Sequence, residues 1–504
     1  MIKGLTARNI VANLLGGGWS ALLAMLFVPM YLHFLGAEAF GLVGILTALQ
    51  AVFGLFDLGI GATLNREMAR LSATASDGMR ERDLLKTFEA FYWSLAAAVG
   101  LVIMMLAGTI AHRWVHAQHL ATSEITRSVA FMGCIVAFQF PFALYQAGLL
   151  GRQRQVMLNV ITVSITTVRS AGAILIIWRV APLVELFFAW QAFVMLIQVV
   201  ITGLVLRHDL PRPPQPSRVR LSLIREMWFF SASLAGNAVL GVLLSQSDKM
   251  LLARLLPLSQ FGYYTLAGSI AAILWYVINP ISTAFYPRFT QLLHTGDESR
   301  AVNTYHRACQ VMAVVVLPVA ATVAMFAHPL IWVWTRNPAL ADATALTASL
   351  LVCGTALNGL SILPVLLGVA AGFPYIITAT NMVAAAMIVP AIFYATRNFG
   401  ISGAAVVWVV LNCLYILIAV PLVHGRVMTG EMWRWYGSDF AVPVLAAAAC
   451  GGLARLLMPS NLTVAATVAY VSVAATVITV TTAAVLPHIR TMAKGFMVPS
   501  AEPL

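Results

Sequence analysis

Long apolar runs, broken by short polar stretches, repeat along this chain with no period-two alternation. A bilayer core about 30 Å thick requires roughly 20 apolar residues per helix. By that measure the sequence predicts fourteen transmembrane helices, at 10–34, 39–60, 87–111, 128–150, 157–178, 183–206, 227–247, 262–286, 309–334, 343–368, 375–396, 402–423, 437–457 and 463–486. Continuous rather than alternating hydrophobicity excludes a β-barrel. The expected fold class is therefore an all-α polytopic membrane protein. The spans and their short connections leave no room for a soluble domain among the 504 residues.

The longest connections, 61–86, 207–226 and 287–308, fall on one side. The second holds Leu210-Pro211-Arg212-Pro213-Pro214-Gln215-Pro216, an extended, semi-rigid spacer. An internal repeat flanks it. Leu35-Gly36-Ala37-Glu38-Ala39-Phe40-Gly41 and Leu256-Pro257-Leu258-Ser259-Gln260-Phe261-Gly262 match at an offset of 221 residues. Asn65-Arg66 and Pro287-Arg288 follow at nearly the same offset, and Asn13 and Asn237 sit near the start of each half. Six spans per half give both halves the same orientation, a parallel repeat. The expected organisation is an N-lobe at 1–206, a linker at 207–226, a C-lobe at 227–424, and two extra helices with a tail at 425–504. Pro29, Pro141, Pro280, Pro318, Pro364, Pro390 and Pro421 lie in or beside spans, where proline permits a kink.

Composition sharpens this picture. Hydrophobic residues reach 61% and charged residues only 10%. That leaves too little polar surface for a soluble enzyme or a disordered chain. Net charge is +12, but it follows topology rather than forming a nucleic-acid patch. With the N-terminus taken as cytoplasmic, 21 Lys and Arg fall on the cytoplasmic side and 7 opposite. This is the positive-inside asymmetry. It also places the C-terminus inside and adds attraction to anionic membrane lipids. Lys3 and Arg8 mimic the start of a secretory signal, but the apolar stretch after them is too long and lacks a clear small-x-small cleavage site, so a retained helix is expected. The five cysteines, in or beside spans and without CxxC spacing, read as small apolar residues.

Charges within spans are few and costly, so they single out candidates. Arg169 lies mid-span in Thr166-Thr167-Val168-Arg169-Ser170. It suits recognition of phosphate by the guanidinium fork, or equally a structural partnership with a carboxylate or helix-end carbonyls. Lys249 follows Ser245-Gln246-Ser247-Asp248; it could attract an anionic headgroup and Asp248 a coupling cation, or both could mark a solvated helix end. Asp57, in Phe56-Asp57-Leu58-Gly59-Ile60-Gly61, could exchange a coupling proton, or cap a helix beside close-packing glycines. Arg8 and Arg66, at inner helix ends, could line a cavity mouth or serve topology alone. No metalloprotease, GxSxG or P-loop motif occurs, and His112, His116 and His119 read as a solvated loop. No cofactor or metal is expected. With no ATP site, an ion gradient or the membrane potential would supply the energy.

The stretch from Asn13 through Pro29, Leu35-Gly36, Phe40-Gly41 and Asp57-Leu58-Gly59 to Asn65-Arg66 resembles the polysaccharide transporter family. So does Gln246-Ser247-Asp248-Lys249 through Gln260-Phe261-Gly262-Tyr263-Tyr264. These are O-antigen-type flippases of the multidrug/oligosaccharidyl-lipid/polysaccharide exporter superfamily. The resemblance implies a V-shaped protein of the bacterial inner membrane with a cationic cavity. It would carry an undecaprenyl-pyrophosphate-linked oligosaccharide to the outer leaflet by alternating access, driven by a proton or sodium ion. A monomer is expected, with polysaccharide polymerase machinery as a candidate partner and no nucleic acid. A lipid II flippase and a multidrug antiporter remain alternatives, although an antiporter for organic cations would favour cavity carboxylates. A membrane-embedded polymerase or ligase would need a larger outer loop than 112–127. A passive scaffold would leave Arg169 unexplained.

Overall fold

The computed structural model describes the backbone at 2–72, 78–211 and 216–491. Side chains are described there too, apart from those at 2–15, 21, 221, 226–235 and 237. Every regular element in this part is helical, joined by turns and one isolated bridge, His116 to Pro257. The chain forms two compact units, Met1–Gly262 and Tyr263–Leu504.

The first unit holds α1 (Ile2–Gly54), α2 (Ile60–Ser72), α3 (Met79–Arg113), α4 (Thr122–Gly151), α5 (Gln155–Arg179), α6 (Val184–Asp209) and α7 (Leu221–Leu255), and the start of α8 (Leu258–Ala271). The rest of α8 lies in the second unit, with α9 (Trp275–Thr295), α10 (Glu298–Met325), α11 (Ala327–Thr335), α12 (Pro338–Ala370), α13 (Pro374–Leu414), α14 (Val420–Val427), α15 (Met432–Arg434), α16 (Val442–Leu456) and α17 (Val464–Val485). Among the described residues, eleven helical stretches are long and apolar enough to cross a membrane. The protein is a multi-pass membrane protein.

Two of those stretches, Gly16–Asp57 and Pro374–Val427, are far longer than a bilayer requires. At 1.5 Å per residue, straight helices of those lengths would run about 63 and 81 Å. Each is interrupted instead. Gly36 takes φ 80° and ψ 176°, and Gly400 takes φ 60° and ψ −144°. Only glycine adopts these conformations without a Cβ clash. The sharp breaks thus fall at glycines, whereas Pro29, Pro141, Pro318, Pro364 and Pro390 are accommodated inside helices. Proline acts elsewhere: π-helical turns at Tyr415–Ala419 and Trp435–Ala441 run up to Pro421 and Pro443. A proline has no N–H to donate and its ring collides with the carbonyl four residues back, which widens the preceding turn.

The two repeated segments pack on each other reciprocally within the first unit. A Cβ on Gly41 would lie 2.6 Å from the Leu258 carbonyl oxygen, and one on Gly262 would lie 1.9 Å from that of Ala37. Gly41 corresponds to Gly262 in the repeat, and Ala37 to Leu258. The contact therefore has the self-complementary form of a two-fold relationship. Phe40 and Phe261 are both buried beside it. The loop between α3 and α4 is fastened here as well. Buried Glu38 accepts backbone N–H bonds from Gln118 (2.8 Å), His119 (3.1 Å) and Leu120 (3.0 Å), while Leu258 N–H donates to His116 at 2.8 Å.

At the opposite end, the first turns of α3 hold the segment that follows α6. Arg152 bridges Glu81 (2.8 Å) and Asp209 (2.6 Å), and Arg154 joins Asp209 at 2.6 Å. Arg82 donates to the carbonyls of Leu210 (3.1 Å) and Pro211 (2.5 Å), and Lys86 to that of Ser217 (2.8 Å). Buried Asp83 pairs with Arg220 at 2.8 Å and accepts the Arg218 N–H at 2.7 Å. Both described ends of the proline-rich connection are thus strapped to α3. Much of the basic charge that set topology is engaged in ion pairs and carbonyl contacts.

Asp57 lies in a short 3-10 turn, Leu55–Asp57, at the very end of the membrane-length stretch Gly16–Asp57. Leu58 (φ 50°) and Gly59 (φ 76°) take left-handed conformations immediately after it and separate it from α2. Its carboxylate accepts the Tyr92 hydroxyl at 2.5 Å and the Gly61 N–H at 3.3 Å, which caps the start of α2 and ties it to α3.

Two outcomes are expected. Gly262→Ala should lower the melting temperature in detergent, at a cost of about 1–3 kcal/mol from overpacking against backbone. Gly268→Ala, where a Cβ meets nothing within 4 Å, should leave it unchanged or slightly raised. Asp57→Ala should cost about 1–2 kcal/mol through the lost cap and the stranded tyrosine hydroxyl. An unchanged melting temperature in that variant would show that the carboxylate carries no structural load.

Candidate functional site

Arg169 sits in the middle of α5, where Gly172 one turn on leaves room for the Trp190 ring of α6. The Trp190 indole N–H donates to the Arg169 carbonyl at 3.0 Å. Tyr31 of α1 donates its hydroxyl to the Ser170 carbonyl at 3.3 Å, and the Trp19 indole N–H reaches the Thr167 hydroxyl at 2.9 Å. Aromatic side chains from two neighbouring helices therefore fix the backbone of α5 at the depth of this arginine.

Its guanidinium donates through Nη2 to the Oε1 of buried Gln198 on α6, and reaches Met195 Sδ at 3.7 Å. Nε is buried with no acceptor. No carboxylate lies at ion-pair distance among the described residues. Gln198 and Met195 lie one turn apart on α6, so one face of that helix presents both groups.

Lys249, on α7, has the same kind of partner. Its Nζ donates to Gln246 Oε1, one turn back, at 2.9 Å. Among the described residues, Asp57 forms no ion pair with Arg169 or Lys249. Both cations are thus held by neutral amides, which orient a positive group without neutralising it. Asp57 is occupied in capping α2, and Asp248 is half-buried on α7. Arg66 lies on α2 with its side chain exposed. Arg8 belongs to α1, but its side chain lies outside the described residues.

The hydropathy pattern found the cations because charge within an apolar run is conspicuous. It passed over Gln198, Trp190 and Tyr31. An uncharged glutamine in Ile197-Gln198-Val199 was the available signal.

Sequence reading also missed a dense polar cluster in the second unit. There, fully buried His306 of α10 bonds through Nδ1 to Asp439, and through Nε2 to Glu431 at 2.9 Å. Gln310 donates to the other Asp439 oxygen at 2.8 Å. The Tyr305 hydroxyl meets His424 Nε2 at 3.0 Å. The histidine and its acids are separated by more than 120 residues, and no local spacing signals the group.

Comparison with known proteins follows the same lines. A Shigella flexneri protein described as an O-antigen transporter is 20% identical over 415 residues, covering 81% of this chain and 96% of that one. The succinoglycan biosynthesis transport protein ExoT of Rhizobium meliloti is 24% identical over 331 residues, covering 63% of this chain and 61% of that one. Among solved structures, the lipid II flippase MurJ in an inward closed conformation superposes with a TM-score of 0.66 at 9% identity, covering 94% of this chain and 98% of that one. The Vibrio cholerae MATE transporter VcmN follows with a TM-score of 0.54 at 14% identity, covering 84% and 97%. At those identities the likeness is one of fold. Residues 6–293, more than half of the chain, match the family described as polysaccharide biosynthesis protein, and the chain belongs to that family.

Proposed function

We propose that this protein is a transporter of the bacterial inner membrane that flips an undecaprenyl-pyrophosphate-linked oligosaccharide from the cytoplasmic to the outer leaflet. The glycan would serve synthesis of an O-antigen, capsule or exopolysaccharide. Each glycine-broken stretch counts as two spans in this reading, and α7 as one, which gives fourteen. Both termini are cytoplasmic. Six-helix lobes joined by the 207–226 linker alternate access, and a cation gradient drives the cycle.

The observation that carries the reading is the pairing of Arg169 and Lys249 with glutamine amides rather than carboxylates. A charge within the bilayer costs roughly 2.5–3.5 kcal/mol on insertion scales, so a cation such as Arg169, which no carboxylate among the described residues pairs, suits an anion that visits. A pyrophosphate supplies two or more negative charges and several acceptor oxygens. Arg169 retains a buried Nε donor for such a group. The sugar crosses with the pyrophosphate while the polyprenyl tail stays in lipid. An antiporter for organic cations would place carboxylates where these cations stand, so the charge pattern favours an anionic cargo. Gln198 and Gln246 then act as positioning residues. Arg66 and Arg8, at inner helix ends, would draw the headgroup toward the cytoplasmic mouth, and Asp248 is the coupling candidate on α7.

In proteoliposomes, a fluorescently tagged undecaprenyl-pyrophosphate-linked saccharide should be flipped by wild type. Arg169→Ala should flip it at least about tenfold more slowly, the loss of one charge-assisted contact of roughly 1.5–3 kcal/mol. Unchanged flipping in the variant would remove Arg169 from the site, and extrusion of an organic cation in place of flipping would favour a drug antiporter. Orientation can be checked separately. With the native cysteines replaced, an impermeant maleimide applied to intact spheroplasts should label Ser123→Cys and leave Ser299→Cys unlabelled until the membrane is opened.

A further inference from the structure

His306 presents both ring nitrogens to carboxylates, Nδ1 to Asp439 and Nε2 to Glu431. Ionised carboxylates only accept, and a neutral imidazole has a single N–H. Two such contacts need two hydrogens. The group of three therefore contains one proton more than a neutral histidine with two carboxylates. That proton sits either on the ring, giving imidazolium, or on one acid. Glu431 lies outside the spanning helices. Burial would raise its carboxyl, but the His306 contact and charge, with Arg434 at 3.4 Å, outweigh this and hold it below the ordinary range.

The arrangement has an outer and an inner end. The Glu431 side chain is 26% exposed, whereas those of His306 and Asp439 are fully enclosed. Asp439 lies on the π-helical turn Trp435–Ala441, four residues before Pro443, where the widened backbone turns its carboxylate toward α10. Gln310 (2.8 Å) and Ser438 (3.2 Å) satisfy its second oxygen. Other charged and titratable groups surround the three, with Tyr436 on the same π-helical turn as Asp439. The others are Tyr305, Arg307 and Cys309 on α10, His424 on α14, Arg434 on α15, and His488 after α17, whose N–H donates to Gln310 at 2.8 Å. His306 thus joins α10 to the segment that opens α16.

We propose that Glu431, His306 and Asp439 form a proton-binding site through which the transporter couples to a proton gradient; the coupling role rests on the transport reading above. A proton enters from solvent at Glu431, adds to the imidazole, and is held against Asp439. The formal charge of the three groups rises from −2 to −1 in that step. When the proton leaves, one nitrogen–carboxylate contact loses its hydrogen and sets two lone pairs against each other. The contact between α10 and the 431–441 segment then weakens. Protonation therefore selects between two packings of these helices.

The test uses the full-length protein in proteoliposomes with the tagged undecaprenyl-pyrophosphate-linked saccharide. The rate ratio with and without an imposed pH gradient of one unit is read. Wild type should show a ratio up to about tenfold, the change in proton activity. His306→Gln and Asp439→Asn should bring it close to one, and Glu431→Gln, at the solvent edge and least disruptive to folding, should reduce it. A wild-type ratio in folded His306→Gln, or in Glu431→Gln if that variant fails to fold, overturns the proposal. A second readout needs no transport. In detergent, the nitrogen resonances of 15N-labelled histidine, assigned to His306 by their loss in a His306 variant, should show both nitrogens protonated at pH 7.5. A neutral ring hydrogen-bonded to two ionised acids overturns the proton site. If wild type flips nothing while His306 shows both protons, the transport reading fails and the proton site stands.

Discussion

An ionised group withdrawn from water must be compensated, and the choice of compensator decides what the group can do. A carboxylate beside a cation neutralises it and leaves a structural bond. An amide beside a cation orients it and leaves its charge available to a third party. Two carboxylates around one histidine engage both of its ring nitrogens and tie distant segments together. All three solutions occur in this chain, each at a different place.

The ion pairs at the start of α3 illustrate the first. Glu81 and Asp83 are deeply buried yet fully partnered by Arg152, Arg220 and backbone donors. Removing one member would strand the other in a poorly solvated position, so these pairs fix the connection after α6 against α3. Glu38 does comparable work at the opposite end, using three backbone N–H groups instead of a side-chain cation. Arg169 and Lys249 pair with glutamine amides instead.

Backbone choices serve the same division. Gly36 and Gly400 permit breaks that proline alone does not produce here, since a left-handed residue redirects a helix whereas an interior proline only widens or bends it. Gly41 and Gly262 let two repeated segments approach until main-chain atoms touch. The π-helical turn before Pro443 places Asp439 where His306 needs an acceptor. Each device is local, and the last of them positions a polar group.

Hydropathy along the chain was sufficient to specify a helical, multi-pass membrane protein, because an unpaired backbone cannot cross lipid and apolar runs of this length have no other stable form. Composition exposed Arg169 and Lys249, because a charge amid apolar residues stands out without any knowledge of its neighbours. The repeat was legible as spaced Phe-Gly pairs. Their mutual contact was not, since 221 residues separate the two segments and only folding closes that distance. Asp57 read somewhat more readily as a packing or capping carboxylate than as a proton carrier, and the Gly61 N–H and the Tyr92 hydroxyl give it a capping geometry that no local spacing records. The glutamines that leave the cations charged, and the acids that surround His306, depend on which helix faces which. That choice is made by side-chain packing between distant segments, and a one-dimensional pattern of polarity carries no record of it.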